Sequence, residues 1–527
     1  MKTKFGMWSL VLGICFISCA GGKSCATKQA ATDTFIWWNR AEPATIDPGL
    51  VRDHPSGNVV YQLFEGLTEY DPKTLAPVPG VATSWDVSAD GKTYTFHLRS
   101  DAKWSDGTPV TASDFEYSWK RALDPKTASE YAYILYPLLN AEEYNTGKIT
   151  DSETVGVKAV DDGTLRVELK NPVPYFPHLA SFATYRPVHR ATVEKWGEEW
   201  IRPEHMVSNG PYRLTSWVPQ KEIVMEKNPN YWDKANVRIN KAIFLPTDDN
   251  ETALKLYLDG KAHYNDYIPP TKVPEMAKRD DYHFIPEWAT YYVWFNTERK
   301  PFDDPRVRQA LSLAIDRQKI VDVKKSNDVA TTQSVPPGYE GYTSPEVQGF
   351  DPAKAKALLA EAGFADPKTF PTVSFYYNTS DANKLVAELI QSMWKENLGI
   401  NIALVNQEWK TLLQTWSTGS FEISRYGWVG DFLDPVTFID IFTSSSTQNY
   451  TRWKNPAFDE LVAQSARKLD PATRLATLKK AEEILLQELP AIPLFHYGRP
   501  QMIDPRVKGF YPNAMNQHAI KFAWFEQ

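Results

Sequence analysis

Cysteine is confined to the first part of this chain, at Cys15, Cys19 and Cys25, and the rest of the sequence contains none. No intramolecular disulfide can therefore hold the folded body together, and its stability must come from hydrophobic cores. At 527 residues the chain exceeds the usual size of a single core, so we expect two or three domains.

The residues that precede these cysteines have the pattern of a secretion signal. Lys2 and Lys4 come before an apolar run from Phe5 to Ile17, which is too short to span a bilayer. Ser18-Cys19 resembles the site at which signal peptidase II cuts before a diacylated cysteine. We expect a signal peptide over 1–18, lipidation of Cys19 and a flexible lipidated tether over 19–30, with ordinary secretion as the alternative.

The composition is that of a soluble globular protein. Apolar residues are 42%, charged residues are 23%, and the formal net charge is -7, which argues against a nucleic-acid binder. Aromatic residues are abundant at 13%. They indicate either large aromatic cores or an aromatic-lined ligand cavity.

Several local patterns predict individual elements. Alternating apolar residues on both sides of Asp90-Gly91, from Trp85 and Val87 to Leu98, predict a hairpin with one apolar face on each strand. Helix starts are predicted at a capping-box variant and at two Asp-Pro pairs. These starts are Thr111–Asp114, Asp304-Pro305 and Asp470-Pro471.

The sequence contains no common catalytic motif. G-x-x-x-x-G-K-[ST], G-x-S-x-G and H-E-x-x-H are all missing, and the nine histidines form no metal-ligand pattern. We therefore expect a protein that is not an enzyme and that needs no metal or cofactor, although distant carboxylates could still meet in space.

A collinear set of segments resembles the extracytoplasmic solute-binding proteins of ABC transporters, specifically the oligopeptide-binding group, family 5. The segments run in the order typical of that family and cover most of the chain after the tether. They are V-A-T-S-W at 81–85, T-Y-T-F-H-L-R at 93–99, A-K-W-S-D-G at 102–107, N-G-P-Y at 209–212, N-P-N-Y-W at 228–232, P-F-D-D-P-R-V-R-Q-A-L at 301–311, N-Q-E-W-K at 406–410 and G-W-V-G-D-F-L-D-P at 427–435.

The resemblance implies an α/β, periplasmic-binding-protein-like two-lobed fold (type II, cluster C) with an extra domain and a cleft that closes about a hinge. The lobe that carries both ends of the folded body would comprise 31–64, 190–292 and 498–527. The extra domain would be 65–189, and the second lobe 293–497.

The resemblance also implies a ligand site. Its anchor for the α-ammonium of a peptide is Asp431, because a cation in a closed cleft needs a charged partner. The other implied positions are aromatic cleft walls, a close backbone approach, and two cations near the ligand carboxylate. They are Tyr131, Trp409, Trp428 and Tyr497 as aromatics, Gly427 as the close approach, and Arg425 and Lys325 as cations. Tyr292 would lie where ligand-contacting backbone enters the second lobe.

Three positions depart from the family pattern at the carboxylate end of the ligand. Arg52 stands where a glutamate is common, Asn383 where a histidine is common, and Trp416 where an arginine is common. The amine end is thus preserved and the carboxylate end is altered. We expect either that Arg52 supplies part of the missing positive charge or that longer peptides leave their carboxylate in water.

The function implied is peptide transport by a monomeric, lipid-anchored receptor. It would lie in the periplasm or at the cell surface, bind oligopeptides, and deliver them to an ABC permease with its ATPase subunits for transmembrane transport. Alternatives are the same fold with another solute (muropeptide, nickel chelate or oligosaccharide) and a surface adhesin or sensor.

Overall fold

The computed structural model describes residues 33–526 except 248, 326 and 447. The predicted signal peptide, the tether and Cys19 lie outside these residues. The described chain is mixed α/β, as expected, and it forms one compact unit.

Nineteen strands are assigned within the described residues. They are β1 Thr34–Trp38, β2 Thr68–Tyr70, β3 Pro77–Pro79, β4 Ala82–Val87, β5 Thr93–Leu98, β6 Val157–Asp161, β7 Thr164–Glu168, β8 Tyr212–Val218, β9 Glu222–Lys227, β10 Lys241–Leu245, β11 Tyr264–Asn265, β12 Tyr282–Phe295, β13 Val329–Ala330, β14 Val373–Asn378, β15 Ile402–Gln407, β16 Ile423–Val429, β17 Ala491–Ile503, β18 Val507–Lys508 and β19 Trp524–Phe525.

The same part of the chain contains fourteen α-helices. They are α1 His54–Leu63, α2 Ala112–Leu123, α3 Ala141–Asn145, α4 Phe176–Leu179, α5 Arg190–Trp196, α6 Asn250–Leu258, α7 Val273–Met276, α8 Pro305–Leu313, α9 Arg317–Lys324, α10 Pro352–Glu361, α11 Asp381–Leu398, α12 Trp409–Thr418, α13 Pro456–Ala466 and α14 Pro471–Glu488.

A large mixed sheet organises the molecule. Its strands follow the order β15-β14-β16-β12-β17-β11-β1-β10-β9-β8, and β13 adds to β17. The long antiparallel pair β12 and β17 lies in the middle, so it joins a half built from β14–β16 to a half built from β1 and β8–β11. From Trp288 to Phe295 every residue of β12 is buried, which is the pattern of a strand covered on both faces.

Separate hydrophobic cores form on one half of the large sheet and around a second, smaller sheet. Helices α8–α11 pack on the half with β14–β16, where the Trp394 indole donates to the carbonyl oxygen of Leu311 at 2.9 Å. A second antiparallel sheet, ordered β4-β5-β7-β6, packs with α2 around Phe96 and Trp119. Eight tryptophans are almost completely buried, so much of the aromatic content forms cores.

The local patterns predicted the elements well. The hairpin forms as β4 and β5, and helices begin where the capping box and both Asp-Pro pairs predict. The expectation of two apolar hairpin faces is wrong for Val87, which is 47% exposed although Tyr94 opposite it is buried. Val87 ends β4 next to the turn and is exposed there, so alternation alone did not determine burial.

Neither a metal cluster nor a membrane span is found in the described residues. No group of three or more histidine, cysteine or acidic side chains could hold a metal ion there. No helix in this part of the chain is long and apolar enough to cross a bilayer.

Candidate functional site

A short turn after β16 positions the predicted anchor, Asp431. A Cβ atom at Gly430 would overlap the Trp288 indole, so the chain leaves the strand by a path that only glycine fits. The Asp431 backbone N–H donates to the Thr437 hydroxyl at 3.2 Å. The position of the Asp431 carboxylate is therefore set by the strand and the turn.

The same turn is locked by a buried ion pair. Asp434 caps the 3₁₀ helix Pro435–Phe438 through the Val436 N–H and accepts two hydrogen bonds from Arg474, at 2.7 and 2.8 Å. Both side chains are almost fully buried. Such bidentate pairs are rigid, and this one fixes the loop on which Asp431 sits.

The Asp431 carboxylate accepts hydrogen bonds from two tyrosines that lie about 300 positions away in sequence. Tyr133 donates to Oδ2 at 3.0 Å, and Tyr131 donates to Oδ1 at 3.4 Å. Burial raises the pKa of Asp431 to about 7, and the two hydroxyls oppose that rise without cancelling it. We call this arrangement of Asp431, Tyr131 and Tyr133 the Asp431 site.

No lysine or arginine in the described chain forms an ion pair with the Asp431 carboxylate. Its two partners are neutral hydroxyls, which stabilise a negative charge less than a cation does. The arrangement therefore offers a buried acceptor that is complementary to a cationic group from outside the described chain.

Aromatic contacts join the same two regions around this carboxylate. Tyr131 stacks on Phe182 with ring centroids 5.8 Å apart, and Tyr175 stacks on Phe432 at 4.9 Å and an angle of 5°. The Arg474 guanidinium lies over the Tyr175 ring, 5.1 Å from its centroid. Residues of 131–182 thus close over the loop that carries Asp431.

Arg425 and Gly427 lie in β16, before Asp431 in the chain, on the strand face opposite Tyr426 and Trp428. The Arg425 guanidinium is 5.2 Å from the Tyr291 ring, and its Nε is buried without a hydrogen-bond partner. A Cβ atom at Gly427 would come within 2.7 Å of the Tyr497 hydroxyl oxygen. The structure thus brings three predicted residues together, Arg425, Gly427 and Tyr497.

The predicted aromatics differ in their surroundings. Trp428 is 8% exposed, stacks near Tyr426 at 6.3 Å and has an unpartnered indole N–H. Trp409 is 45% exposed at the start of α12. Tyr292 is completely buried and donates to the carbonyl oxygen of Ser334 at 2.9 Å, so its side chain is part of the core between strand and loop.

The residues at the positions that depart from the family pattern also make specific contacts. Trp416 is buried and donates to the Ser424 hydroxyl at 2.7 Å, and it therefore packs in the interior. Arg52 forms an exposed ion pair with Glu130, the neighbour of Tyr131. Asn383 is buried and donates to the side chain of Asn378 at 2.9 Å.

Lys325 is a surface residue. It is exposed and follows α9 in a left-handed conformation, with φ of 52°. This is the usual conformation of a residue that ends a helix.

Sequence reasoning missed Tyr133 and Asp440. Tyr133 lies two residues after Tyr131. Nothing in the sequence showed that both hydroxyls would reach the Asp431 carboxylate. Burial, followed by the charges of Asp431 and Asp434, raises the pKa of Asp440 to about 8. The sequence gave no sign that Asp440 lies near Asp431, because the distance between the two residues depends on the 3₁₀ segments that follow Asp434.

Comparison with known proteins places this geometry among binding proteins. The family model described as bacterial extracellular solute-binding proteins, family 5 Middle, matches residues 76–450. The Escherichia coli periplasmic oligopeptide-binding protein OppA is 41% identical over 503 residues, which cover 93% of this chain and 91% of OppA.

Solved structures resemble the chain over nearly its whole length. The Escherichia coli murein tripeptide-binding protein MppA has a TM-score of 0.83 at 35% identity, covering 93% of this chain and 98% of MppA. Haemophilus influenzae OppA, in its complex with RPPGFSPFR, has a TM-score of 0.82 at 34% identity, covering 94% and 99% of the two chains. The fold class expected from the sequence is therefore confirmed.

Proposed function

The chain belongs to the bacterial extracellular solute-binding proteins of family 5, and from this premise we propose that it captures oligopeptides for an ABC importer. Family membership also confirms that the protein is a transport binding protein rather than an enzyme. The similarity to OppA proteins over more than nine-tenths of the chain supports a peptide as the ligand.

The observation that carries the proposal is the enclosed Asp431 carboxylate. It has hydroxyl partners and no cationic partner in the described residues, and burial disfavours its ionised form. The α-ammonium of a peptide supplies the missing positive charge, and a charge-assisted hydrogen bond in a closed cleft is strong. Asp431 would therefore select ligands with a free amine.

The remaining contacts to the ligand would be made with its backbone and its carboxylate. Peptides of different sequence share only their main chain and termini, so strand-like pairing and roomy side-chain pockets suit a transporter of many peptides. Tyr131, Trp428, Gly427 and Tyr497 would line the cleft, with Tyr292 supporting it from the core and Trp409 at its exposed edge.

The carboxylate of the ligand has three candidate partners. Arg425 has a buried Nε without a hydrogen-bond partner, which favours it. Arg52 would have to exchange Glu130 for the ligand, and Lys325 would have to reach it from an exposed helix end. Affinities of free-acid and C-amidated peptides test these contacts, and equal affinities at every length would exclude all three.

Closure would follow a change in the relative position of two lobes. We propose lobes at 31–64 with 190–292 and 498–527, and at 293–497, with an extra domain at 65–189. The central strands β12 and β17 support this division, because each crosses one proposed boundary. Ligand binding would shift the population toward the closed form and present a new surface to the permease.

The export signal and Cys19 would anchor this monomeric receptor to a bacterial membrane, in the periplasm or at the cell surface. The signal at 1–18 and the serine before Cys19 support the anchor. The partner permease and its ATPase subunits would perform transport.

Murein peptide is the second candidate ligand. The similarity to MppA, at a TM-score of 0.83, favours it, and such a ligand could also present a free amine to Asp431. Native mass spectrometry of the ligand that co-purifies with the protein separates the candidates. Peptides of mixed sequence support the proposal, murein fragments support the second candidate, and a sugar or nickel chelate would contradict both.

A further inference from the structure

Residues 296–490, which contain β14–β16, are joined to the rest of the described chain by two strands. β12 leads into this part of the chain and β17 leads out of it. The regular pairing of the two strands breaks between Pro286 and Thr290 of β12. Such a break removes ladder hydrogen bonds and lets strands bend. Side-chain contacts across this boundary therefore add to what holds the two parts together.

One contact across the boundary is an aromatic stack next to the turn that carries Asp431. Tyr175, which precedes β12 in the chain, stacks on Phe432 with ring centroids 4.9 Å apart and an angle of 5°. The Arg474 guanidinium lies 5.1 Å from the centroid of the same tyrosine ring. These contacts exist only while the two parts of the chain lie against each other.

A second contact across the boundary lies at the surface and involves Leu469. Gly91, in the turn between β4 and β5, is buried although residues 88–90 beside it are exposed. A Cβ atom at Gly91 would come within 2.5 Å of Leu469 Cδ2 and within 3.1 Å of the Pro172 Cβ atom. Leu469 itself is 49% exposed. A leucine at the surface of one part thus places the end of its side chain on a hairpin of the other part.

The stack and the surface contact join the same two elements. Pro172 and Tyr175 belong to the segment that leads into α4, and Leu469 and Arg474 lie at the start of α14. None of these four residues is among the ligand residues predicted from the sequence. The two contacts together therefore form one interface that is separate from the predicted ligand contacts.

We propose that this interface is a closure latch, which holds the cleft shut and slows the release of a bound peptide. The closure latch comprises Tyr175 with Phe432 and Arg474, and Leu469 with Gly91. The inference rests on the proposed function, because it assumes that a peptide leaves when the two parts separate about β12 and β17. A latch that favours the closed form lowers the dissociation rate of every ligand by the same factor.

The size of the effect follows from the exposure of Leu469. The Leu469→Ala substitution removes the end of the side chain and keeps the backbone. Since the leucine is about half exposed, its contact is worth about half of a fully buried leucine, or about threefold to tenfold in the ratio of closed to open forms. Tyr175→Leu removes the aromatic stack and the contact with the guanidinium, and should change the same ratio by about tenfold.

The test is stopped-flow tryptophan fluorescence with trialanine and trilysine at pH 7.5, which gives the association and dissociation rates separately. The two peptides share their termini and backbone but differ in their side chains. Leu469→Ala should release both peptides about threefold to tenfold faster, by the same factor, without slower association. Tyr175→Leu should also speed the release of both. Leu258→Ala is the matched control, because Leu258 is 46% exposed on a helix that packs against β11, and it should leave both rates unchanged.

The results that would overturn the inference differ from those that would overturn the proposed function. If either variant releases the peptides at the wild-type rate, or if only association changes, the interface is not a latch, while peptide capture stands. If Leu469→Ala changes the release of trialanine and trilysine by different factors, Leu469 acts on the ligand and the inference is wrong. If wild type binds neither peptide, the proposed function fails and this inference fails with it.

Discussion

Peptide binding should release protons from the Asp431 site below neutral pH. Burial raises the pKa of Asp431 from an ordinary value of 3.8 to about 7, against the opposing effect of the Tyr133 and Tyr131 hydroxyls. At about 1.4 kcal/mol for each pKa unit, ionisation of this carboxyl is about 4 kcal/mol less favourable than in water. A bound ammonium supplies a positive charge, so the pKa of Asp431 must fall in the complex.

The size of the effect follows from that pKa. At pH 6 about nine in ten empty sites carry a proton that the ammonium must displace, and at pH 8 only about one in ten does. The association constant should therefore rise about ninefold from pH 5 to pH 6 and about fivefold from pH 6 to pH 7, which is about fiftyfold in all. Above about pH 8 the peptide amine itself loses its charge, and affinity should fall again.

Calorimetry of one peptide in two buffers with different ionisation enthalpies measures the released protons directly. Asp431→Asn should abolish most of the release and flatten the dependence between pH 5 and pH 7. Asp440 also faces the site, and its pKa of about 8 means that it carries a proton at neutral pH. Asp440→Asn is therefore the control, and it should keep the release that belongs to Asp431. A wild-type affinity that is constant from pH 5 to pH 7 would refute the reasoning.

The other predictions concern the frame of the site. Arg474→Met should lower the free energy of unfolding by about 3–5 kcal/mol, because it leaves Asp434 buried and unpaired, whereas Arg190→Met in an exposed pair should change it by less than about 1 kcal/mol. Urea unfolding measures both, and equal effects would contradict the role of burial. Gly427→Ala should destabilise the protein by about 1–3 kcal/mol, because its Cβ comes 2.7 Å from the Tyr497 hydroxyl. Adding Tyr497→Phe should recover part of that loss, and no recovery would show that the strain lies elsewhere.

Local signals in the sequence predicted the elements that depend on neighbouring residues. The Asp304-Pro305 and Asp470-Pro471 pairs begin α8 and α14, because an aspartate accepts from the first free N–H groups and proline fits the first turn. Capping depends on only a few consecutive residues, so it can be predicted from sequence alone.

The contacts of the site could be predicted only in part. The resemblance to a family implied Asp431, Gly427, Arg425 and Tyr131 as site residues. The pairing of Tyr133 with Asp431 and of Arg52 with Glu130 joins residues 298 and 78 positions apart. Such pairs depend on the tertiary fold, which local periodicity does not encode. For the same reason, the sequence did not show that the side chains of Tyr292 and Trp416 lie in the interior.

The most direct test measures how strongly the charge of a peptide amine couples to position 431. The affinities of one peptide, with its N-terminus free and acetylated, are compared in wild type and in Asp431→Asn. Acetylation should weaken wild-type binding by about 10²–10³, because it leaves a buried carboxylate without its cation, and it should have little further effect in the variant. Equal affinities of wild type for the free and the acetylated peptide would contradict the account.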